Sequence, residues 1–516
     1  MGMDIRIVDQ IILMIEYLLR ISLALIVGSS FVVEVIASKN VESSQSVLFP
    51  HSDQVHTEDE ELIPIYLPIS MKNFPWINPF GVENQNLWKQ GTAIYQQGKQ
   101  LNSNWARMGS NISWRELQPN EGDPIRWEKL KGFEEELKAL ISLEMTPIVV
   151  VKDSPHWAVI NNARSDGQLT SCAPIQPSKL NHFADFMRAL VERYKESEFN
   201  VHNWELGNEP DVDPDLVKPN NVFGCWGNIE DEQYYGGREY GEMIKVIGRA
   251  IKEEDPLAKV WLGGLLLSSP YNNDPRKGKP ERFLRGVLEV GAAPYFDILP
   301  YHWYPPYLNK AIDHDMIGKF QDWGGGAVGK ARFLRETMAE YGVEKPLALN
   351  ETALMCPPTV GGQQIEYCNP PSDEFYLAQA NFVIRSFIRG LSENVKGFIW
   401  YTLDGPGWRH TGLLHENNQP KPVYTAYQNL IKQLLYTRYI GQPSYGSRIE
   451  AYAFHRDKDI LHILWVGEDD IQIASISENE FIAAYDRLGR EISPPLVGNN
   501  FELEVGISPI YIVLNP

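Results

Sequence analysis

The sequence predicts an α/β fold, a (β/α)8 TIM barrel followed by a C-terminal antiparallel β-sandwich. Between about residues 75 and 437, short β-branched and aromatic runs alternate with segments whose apolar residues recur at helical spacing, which is typical of parallel βα units. After residue 437 the apolar period changes to two, as in antiparallel strands with one buried face. We therefore assign 71–437 to the barrel and 438–516 to the sandwich.

Eight runs are candidate barrel strands, the number that closes a barrel of this type. In chain order they lie at 80–83, 105–108, 146–151, 201–206, 259–264, 296–301, 346–350 and 397–402. Amphipathic helical patterns separate them, for example 130–141 and 183–194. The sandwich strands are predicted at 448–456, 459–467, 471–477, 481–489 and 501–514.

Composition restricts the partners of this chain. The 516 residues include 47 Lys and Arg against 67 Asp and Glu, which gives a formal net charge of −20. Such a charge opposes the approach of phosphate backbones, so nucleic acid is excluded as a partner. A neutral carbohydrate remains compatible with this surface, and the sequence does not specify an oligomeric state.

The N-terminal region is interpreted separately from the fold. An uncharged apolar run at 21–33 follows Arg20 and precedes the small residues Ala37 and Ser38, which predicts a signal peptide within 1–37. An uncleaved N-terminal membrane anchor is the alternative interpretation. Residues 38–70 are polar and acidic and are assigned to a linker. These features predict a secreted or extracytoplasmic protein.

The cysteines indicate disulfides rather than a zinc site. Cys172, Cys225, Cys356 and Cys368 show no spacing typical of metal ligands, and their even number permits two disulfides in an oxidising compartment. We favour Cys356 with Cys368, which closes a short Pro- and Gly-rich loop, and Cys172 with Cys225 by elimination. Four free thiols remain the alternative.

Reacting groups of a parallel barrel project from the C-terminal ends of its strands. The fourth run ends in the sequence WELGNEP at 204–210, and the seventh ends in LNET at 349–352, so each places a carboxylate at a strand end. Two such carboxylates can cleave a glycosidic bond when one is protonated and the other is ionised. Their separation distinguishes retention from inversion of anomeric configuration, and the sequence does not give that separation.

With these residues, the segment from 75 to 437 resembles the clan A glycoside hydrolases, and within them families 39 and 5. The clan comprises retaining (β/α)8 glycosidases with glutamates at the ends of strands four and seven. The resemblance implies that Glu209 is the acid/base, that Glu351 is the nucleophile and that Asn208 binds the sugar 2-hydroxyl. The motifs that support it are WAR at 105–107, WRELQP at 114–119, PHW at 155–157, HWY at 302–304 and Trp400.

The resemblance also implies that His302 and Tyr304 line the glycone site. Independently of it, four aromatic residues at strand ends could stack on sugar faces, and Trp400 is the one we favour: Trp157, Trp303, Trp400 and Trp408. Arg107 beside the nucleophile would lower the pKa of that carboxyl and keep it ionised. Tyr304 could donate a hydrogen bond to the same carboxylate.

These observations predict a retaining glycosidase that cleaves β-linked oligo- or polysaccharides without a metal or an organic cofactor. A non-hydrolytic carbohydrate-binding protein and a transglycosylase with the same site are the alternatives. Glu205, four residues before Glu209, is expected to form a structural ion pair rather than to act in catalysis. The segment 324–330 has the Gly and Lys spacing of a phosphate loop, but Ala331 replaces the Ser or Thr of that motif.

Overall fold

The computed structural model describes residues 78–516 except 85–87, 162, 197, 220–222, 272–278 and 361. The predicted signal peptide or anchor at 1–37 and the predicted linker at 38–70 therefore lie outside the described residues. Within the described part of the chain, none of the helices combines the length and the apolar character that a bilayer span requires.

Eight parallel strands form the barrel that the sequence predicts. They are Phe80–Asn84 (β1), Trp105–Met108 (β2), Thr146–Lys152 (β3), Asn203–Leu206 (β4), Lys259–Leu262 (β5), Leu299–Trp303 (β6), Leu347–Thr352 (β7) and Gly397–Tyr401 (β8). Their order in the sheet is β5-β4-β3-β2-β1-β8-β7-β6. Parallel bridges from Trp261 to Ile298 and from Leu265 to Tyr301 join β5 to β6 and close the barrel.

Helices follow the strands and cover the outside of the barrel. They are Ala93–Leu101 (α1), Trp114–Leu117 (α2), Lys131–Ser142 (α3), Leu180–Tyr194 (α4), Gly237–Glu254 (α5), Phe283–Glu289 (α6), Gly326–Glu340 (α7), Asp373–Ser392 (α8) and Pro422–Leu434 (α9). In α4 the buried residues include Phe183, Phe186, Leu190 and Tyr194, which is the apolar face that the sequence pattern indicates.

Alternation along the strands divides side chains between two cores. Ile148, Trp261, Ala348 and Ile399 form a small cluster inside the barrel. Their strand neighbours, such as Trp400, belong to the larger core between the sheet and the helices. Because the side-chain period of a strand is two, the residue two positions beyond an interior residue points to the barrel mouth.

The C-terminal region is the predicted antiparallel β-sandwich. Its strands are Arg438–Gly441 (β9), Ile449–His455 (β10), Ile460–Val466 (β11), Gln472–Ser477 (β12), Phe481–Asp486 (β13), Glu491–Ile492 (β14), Leu496–Val497 (β15), Asn500–Val505 (β16) and Ile510–Leu514 (β17). One sheet has the order β9-β10-β11-β17-β13-β14 and the other β12-β16-β15. The strand predicted at 501–514 is two strands, because Gly506 and Pro509 lie in the turn between β16 and β17.

Both favoured cysteine pairings are confirmed. Disulfides join Cys172 to Cys225 and Cys356 to Cys368, and no free cysteine remains among the described residues. Both bridges connect segments that follow barrel strands, and each cross-link restricts the unfolded chain more than the folded one.

Candidate active site

Arg107 on β2 is the centre of a polar cluster at the C-terminal end of the barrel. Its Nη1 lies 2.5 Å from Oε2 of Glu83 on β1 and 2.5 Å from Oε1 of Glu351 on β7. Its Nε lies 2.8 Å from Oε2 of Glu205 on β4, and its Nη2 donates a hydrogen bond of 2.7 Å to Asn208 Oδ1. One guanidinium therefore holds carboxylates from three strands and the side chain that precedes Glu209.

A β-bulge directs the side chain of Glu351. The pairing of β7 with both β6 and β8 shifts by one residue near Asn350. As a result, two consecutive side chains point into the barrel: Asn350 donates a hydrogen bond of 3.1 Å to Glu205 Oε1, and Glu351 contacts Arg107. Bulges of this kind commonly redirect side chains beside functional sites.

The surroundings of Glu351 favour its ionised form. Tyr304 donates a hydrogen bond of 2.7 Å to Glu351 Oε2, and His302 Nδ1 lies 3.4 Å from the same oxygen. Burial alone would raise the pKa of Glu351, but the charges of His302 and Arg107 and the hydrogen bond from Tyr304 lower it below its ordinary value. An ionised carboxylate at this position is available as a nucleophile.

Glu209 lies in the loop that follows β4 and is held by different contacts. Its backbone has φ of 50°, a conformation that non-glycine residues seldom adopt, and its amide donates a hydrogen bond of 3.0 Å to the Gly264 carbonyl. His302 Nδ1 lies 3.0 Å from Glu209 Oε1. One carboxylate oxygen of Glu209 and one of Glu351 lie within 4.8 Å of each other. Their side chains retain 14% and 9% exposure, so both carboxyls meet solvent at the barrel mouth.

His302 connects the two carboxyls. Its side chain is fully buried between them. Burial lowers the pKa of His302, but the Glu351 charge and the hydrogen bond with Glu209 outweigh burial and raise it. A Cβ on residue 264 would lie 2.0 Å from His302 Nε2, so the imidazole occupies this position only because residue 264 is Gly.

Lys330 fixes the backbone behind His302. Its ammonium donates hydrogen bonds of 2.7 Å to the His302 carbonyl and 2.6 Å to the Leu266 carbonyl. Burial lowers the pKa of Lys330 to about 7. The lysine of the segment that resembles a phosphate loop therefore contacts the end of β6 from helix α7.

Glu205 and Glu83 complete the cluster. The Glu205 side chain has no exposed surface, and its Oε1 accepts a hydrogen bond of 3.1 Å from the Gly264 amide. These contacts match the structural ion pair expected of Glu205. Glu83 was not identified from the sequence, although it faces inward at the end of β1 and pairs in register with Arg107. Burial, together with the charges of Glu351 and Glu205, raises the pKa of Glu83 to about 7 despite the Arg107 charge.

The prediction that Trp400 lines the site is wrong. Trp400 is completely buried, donates a hydrogen bond of 2.9 Å to the Thr411 carbonyl and packs against Phe382 of α8. Because Ile399 faces the barrel interior, alternation along β8 directs Tyr401 to the mouth and Trp400 to the helices. The Tyr401 ring lies 6.0 Å from the Tyr304 ring.

Trp157 is partly buried beside α2, and its stacking role stays a prediction. Its indole N–H donates a hydrogen bond of 3.2 Å to the Gln118 carbonyl, and its ring packs 5.3 Å from Trp114. The ammonium of Lys179 lies 5.7 Å from its ring centre. These contacts tie Trp157 to α2 and to the start of α4, and none of them involves the Arg107 cluster.

Trp408 is an exposed aromatic residue close to the cluster. It follows β8, its side chain is 44% exposed, and its ring lies 5.6 Å from Tyr304, edge to face. The Arg409 guanidinium lies 4.3 Å from the Trp408 ring centre. An exposed indole one ring away from the partner of Glu351 is a suitable surface for stacking on a sugar.

Among the described residues, a metal ion could fit between three side chains, those of Glu209, His302 and Glu351. Their potential ligand atoms already have partners: Arg107 and Tyr304 bind the two oxygens of Glu351, and His302 bridges both carboxyls. The guanidinium, 2.5 Å from Glu351 Oε1, would repel a second cation. We therefore keep the prediction that no metal is used.

Solved structures share this fold. A family 39 glycoside hydrolase from Bacteroides cellulosilyticus WH2 aligns with a TM-score of 0.61 at 16% identity, over 88% of this chain and 83% of that chain. A GH30 endoxylanase from Clostridium papyrosolvens C71 aligns with a TM-score of 0.55 at 12% identity, over 86% and 98%. A GH39 β-xylosidase from Caulobacter crescentus aligns with a TM-score of 0.55 at 14% identity, over 87% and 98%. No family model matches the chain, and no curated protein matches its sequence.

Proposed function

We propose that the chain is a retaining glycoside hydrolase that cleaves β-linked sugars, with Glu351 as nucleophile and Glu209 as acid/base. The observation that carries this proposal is the separation of the two carboxyls, whose nearer oxygens lie within 4.8 Å at the barrel mouth. Retaining enzymes place these groups about 5 to 5.5 Å apart, whereas inverting enzymes leave about 6.5 to 9.5 Å for a water molecule.

The contacts of the two carboxyls support this division of roles. Arg107 and Tyr304 bind Glu351 and keep it ionised, so Glu351 attacks the anomeric carbon while the bond to the leaving oxygen breaks. Glu209 has no guanidinium contact among the described ion pairs, and it donates its proton to the departing oxygen. Attack converts the Glu351 carboxylate into an ester, which removes a negative charge close to Glu209 and favours the loss of the Glu209 proton. The Glu209 carboxylate formed in this way can act as a base.

The second step reverses these roles. Glu209 takes a proton from water, the water oxygen attacks the anomeric carbon, and the ester bond to Glu351 breaks. Two inversions at the anomeric carbon give net retention. Arg107 Nη2 holds Asn208 through its Oδ1, and in this proposal the Asn208 amide nitrogen donates to the sugar 2-hydroxyl.

Similar structures suggest which substrates to test first. Two of the proteins with this fold are described as an endoxylanase and a β-xylosidase, so β-linked xylose polymers and aryl β-xylosides come first. The exposed ring of Trp408 near Tyr304 supports a bound sugar chain at this side of the mouth. The two disulfides support folding in an oxidising compartment, consistent with secretion.

Two alternatives share the fold and the site. A non-hydrolytic carbohydrate-binding protein would bind the same sugars without turnover. A transglycosylase would form the same intermediate and pass the sugar to another hydroxyl rather than to water.

The test is a panel of aryl β-glycosides assayed with the wild type, Glu209→Ala and Glu351→Ala. Glu416→Ala, an exposed carboxylate in the loop after β8, serves as the matched control. Glu209→Ala should retain turnover of activated aryl leaving groups, and azide should restore its rate and yield a β-glycosyl azide. NMR should show the β-anomer as the first product of the wild type.

Each contrary outcome removes a specific part of the proposal. Binding without turnover in the wild type would support the binding-protein alternative. Sugar transfer to an added acceptor without release of free sugar would identify a transglycosylase. An α-anomer formed first from a β-glycoside would contradict the retaining mechanism, and the absence of azide rescue in Glu209→Ala would contradict the role of Glu209.

A further inference from the structure

A cavity away from the barrel mouth lies where the barrel meets the sandwich. Its volume is about 320 Å³, and its lining includes Tyr307 from the loop after β6, Leu377 and Arg385 from α8, and Arg487 and Ser508 from the sandwich. This volume falls within the range of small-molecule sites. None of its lining residues belongs to the Arg107 cluster, so the cavity is separate from the proposed active site.

Arg385 is buried in the wall of this cavity with unsatisfied donors. The residue is 1% exposed, and its Nε and Nη2 have no hydrogen-bond partner among the described residues. Its Nη1 lies 3.6 Å from Asp313 Oδ2, an oxygen that Arg389 approaches more closely, at 2.7 Å. Buried guanidinium donors without acceptors are costly, so this side chain lacks an acceptor that a ligand could supply.

Arg487 contributes a second guanidinium from the other domain. It follows β13, its Nη1 donates a hydrogen bond of 3.1 Å to Asn381 Oδ1 on α8, and the same nitrogen contacts Ser508 Oγ. Its Nε has no hydrogen-bond partner within the described part of the chain. Two arginines, one from the barrel and one from the sandwich, therefore line one cavity.

The rest of the lining indicates the size and character of an occupant. Leu377, Phe382 and Ile507 give the cavity apolar walls suited to a carbon skeleton. Lys310 and Glu374 also line it and carry opposite charges, so the two arginines supply the excess positive charge of the lining. Guanidinium groups bind carboxylates through paired N–H donors.

We propose that this cavity binds a small organic carboxylate of monosaccharide size, such as a sugar acid. The carboxylate accepts hydrogen bonds from Arg385 and Arg487, and the carbon skeleton packs against the apolar walls. Inorganic phosphate would satisfy the arginines but would leave those walls unused. The site does not depend on the proposed glycosidase activity, since it shares no lining residue with the catalytic cluster.

Isothermal titration of the full chain with D-glucuronate tests the proposal, with D-glucose and inorganic phosphate as comparison ligands. Glucuronate should bind, and glucose and phosphate should bind at least about tenfold more weakly. Arg487→Gln should weaken glucuronate binding about tenfold or more, since it removes a charge-assisted contact. Arg490→Gln is the matched control: this exposed arginine pairs with Asp486 and does not line the cavity, so its affinity should stay within about twofold of the wild type.

A second variant keeps the test decisive if Arg487→Gln does not fold. Leu377 is 37% exposed on α8, and Leu377→Trp would fill the cavity without removing a charge, so it should also abolish glucuronate binding. Thermal melts of each variant report folding. The proposal is overturned if glucuronate does not bind the wild type, if phosphate or glucose binds as tightly, or if folded Arg487→Gln or Leu377→Trp binds as well as the wild type.

Discussion

The two buried charge clusters of this protein differ in their ratio of guanidinium groups to carboxylates. At the barrel mouth, Arg107 alone faces three glutamates, and the pKa of Glu83 is raised to about 7. At the contact between barrel and sandwich, Arg389 and Arg385 both approach Asp313, whose pKa is lowered to about 2. Burial raises the pKa of both carboxyls, so the number of nearby guanidinium groups decides which one ionises at neutral pH.

This difference separates a reactive cluster from a structural one. The Arg107 cluster has more carboxylates than guanidinium groups, and the pKa of Glu83 is raised while that of Glu351 is lowered. Arg389 also pairs with Asp315 and with Glu450 on β10, and thereby joins α8 to the sandwich. A carboxyl with a raised pKa is useful where protons move, whereas a carboxylate shared by two guanidinium groups stays ionised and stabilises a contact between domains.

The largest expected effect is a loss of catalytic activity when a carboxylate of the Arg107 cluster is removed. Glu351→Ala should lower kcat/KM on an aryl β-glycoside by about 10⁴-fold or more, because it removes the proposed nucleophile. Asp313→Asn, a buried carboxylate of the structural cluster, should leave kcat/KM within about twofold at a temperature where the variant is folded. Steady-state kinetics of both variants measure these changes. Similar losses of activity would contradict the distinction between the Arg107 cluster and the structural cluster.

For the free energy of unfolding, the larger effect is expected when the cluster around Arg389 is changed. Arg389→Gln leaves Asp313, Asp315 and Glu450 without their main cation, so it should lower the free energy of unfolding by about 3 to 5 kcal/mol. Urea denaturation followed by tryptophan fluorescence measures this loss. Arg332→Gln, which removes a partly exposed pair with Glu393, is the control and should cost no more than about 1 kcal/mol. Equal losses would show that the buried cluster has no special structural role.

The two clusters should also differ in how they make the free energy of unfolding depend on pH. The pKa of Glu83 is raised from 4.5 to about 7, so the folded state binds more protons than the unfolded state between these values. The contribution of Glu83 to the free energy of unfolding should therefore fall by about 3 kcal/mol as pH rises from 4.5 through 7. Glu83→Gln stays neutral and should remove that contribution, whereas the buried Glu136 and Asp211, whose pKa values are raised to about 7 and about 6, keep theirs of the same sign.

Asp313 should show the opposite sign. Its pKa is lowered from 3.8 to about 2, so its contribution is present above pH 3.8 and is lost as pH falls towards 2. Urea denaturation at pH 3, pH 5 and pH 8 compares wild type, Glu83→Gln and Asp313→Asn, and Asp313→Asn should lose less stability than the wild type between pH 5 and pH 3. A decline with rising pH that persists undiminished in Glu83→Gln would contradict the account of Glu83.

The smallest expected effect concerns the aromatic surface beside the cluster. Trp408→Ala should raise KM on an oligosaccharide about three- to tenfold and change kcat little, because stacking contributes about 0.5 to 1.5 kcal/mol. Tyr436→Ala, which changes an aromatic residue that is 70% exposed between α9 and β9, is the control and should leave KM unchanged. An unchanged KM in Trp408→Ala would exclude Trp408 from the substrate surface.

The sequence was informative where a polar residue ends an apolar strand. Arg107, Glu209, His302, Tyr304 and Glu351 all follow that pattern, and the structure brings all five together. Alternation along β8 also predicts that Trp400 faces the helices, since Ile399 and Tyr401 share the inward face. Glu83 fits the same rule, but the β1 segment lacks a recognisable motif.

Other features depend on tertiary contacts that no local pattern encodes. The bulge near Asn350 turns two consecutive side chains inward, which strict alternation does not predict. The contact between Arg487 and Asn381 joins residues 106 positions apart in different domains. Local periodicity predicts elements and their faces, whereas these contacts arise only when the sandwich packs on α8.

The most direct test of Glu351 as the nucleophile is covalent trapping. Wild-type protein is incubated with an activated 2-deoxy-2-fluoro-β-xyloside or β-glucoside, digested and mapped by mass spectrometry. One fluoroglycosyl group is expected on the peptide that contains Glu351, and no labelling is expected in Glu351→Ala. Labelling of Glu83, Glu205 or Glu209 instead, or turnover to an α-anomer without any labelled peptide, would contradict the assignment of Glu351 as the nucleophile.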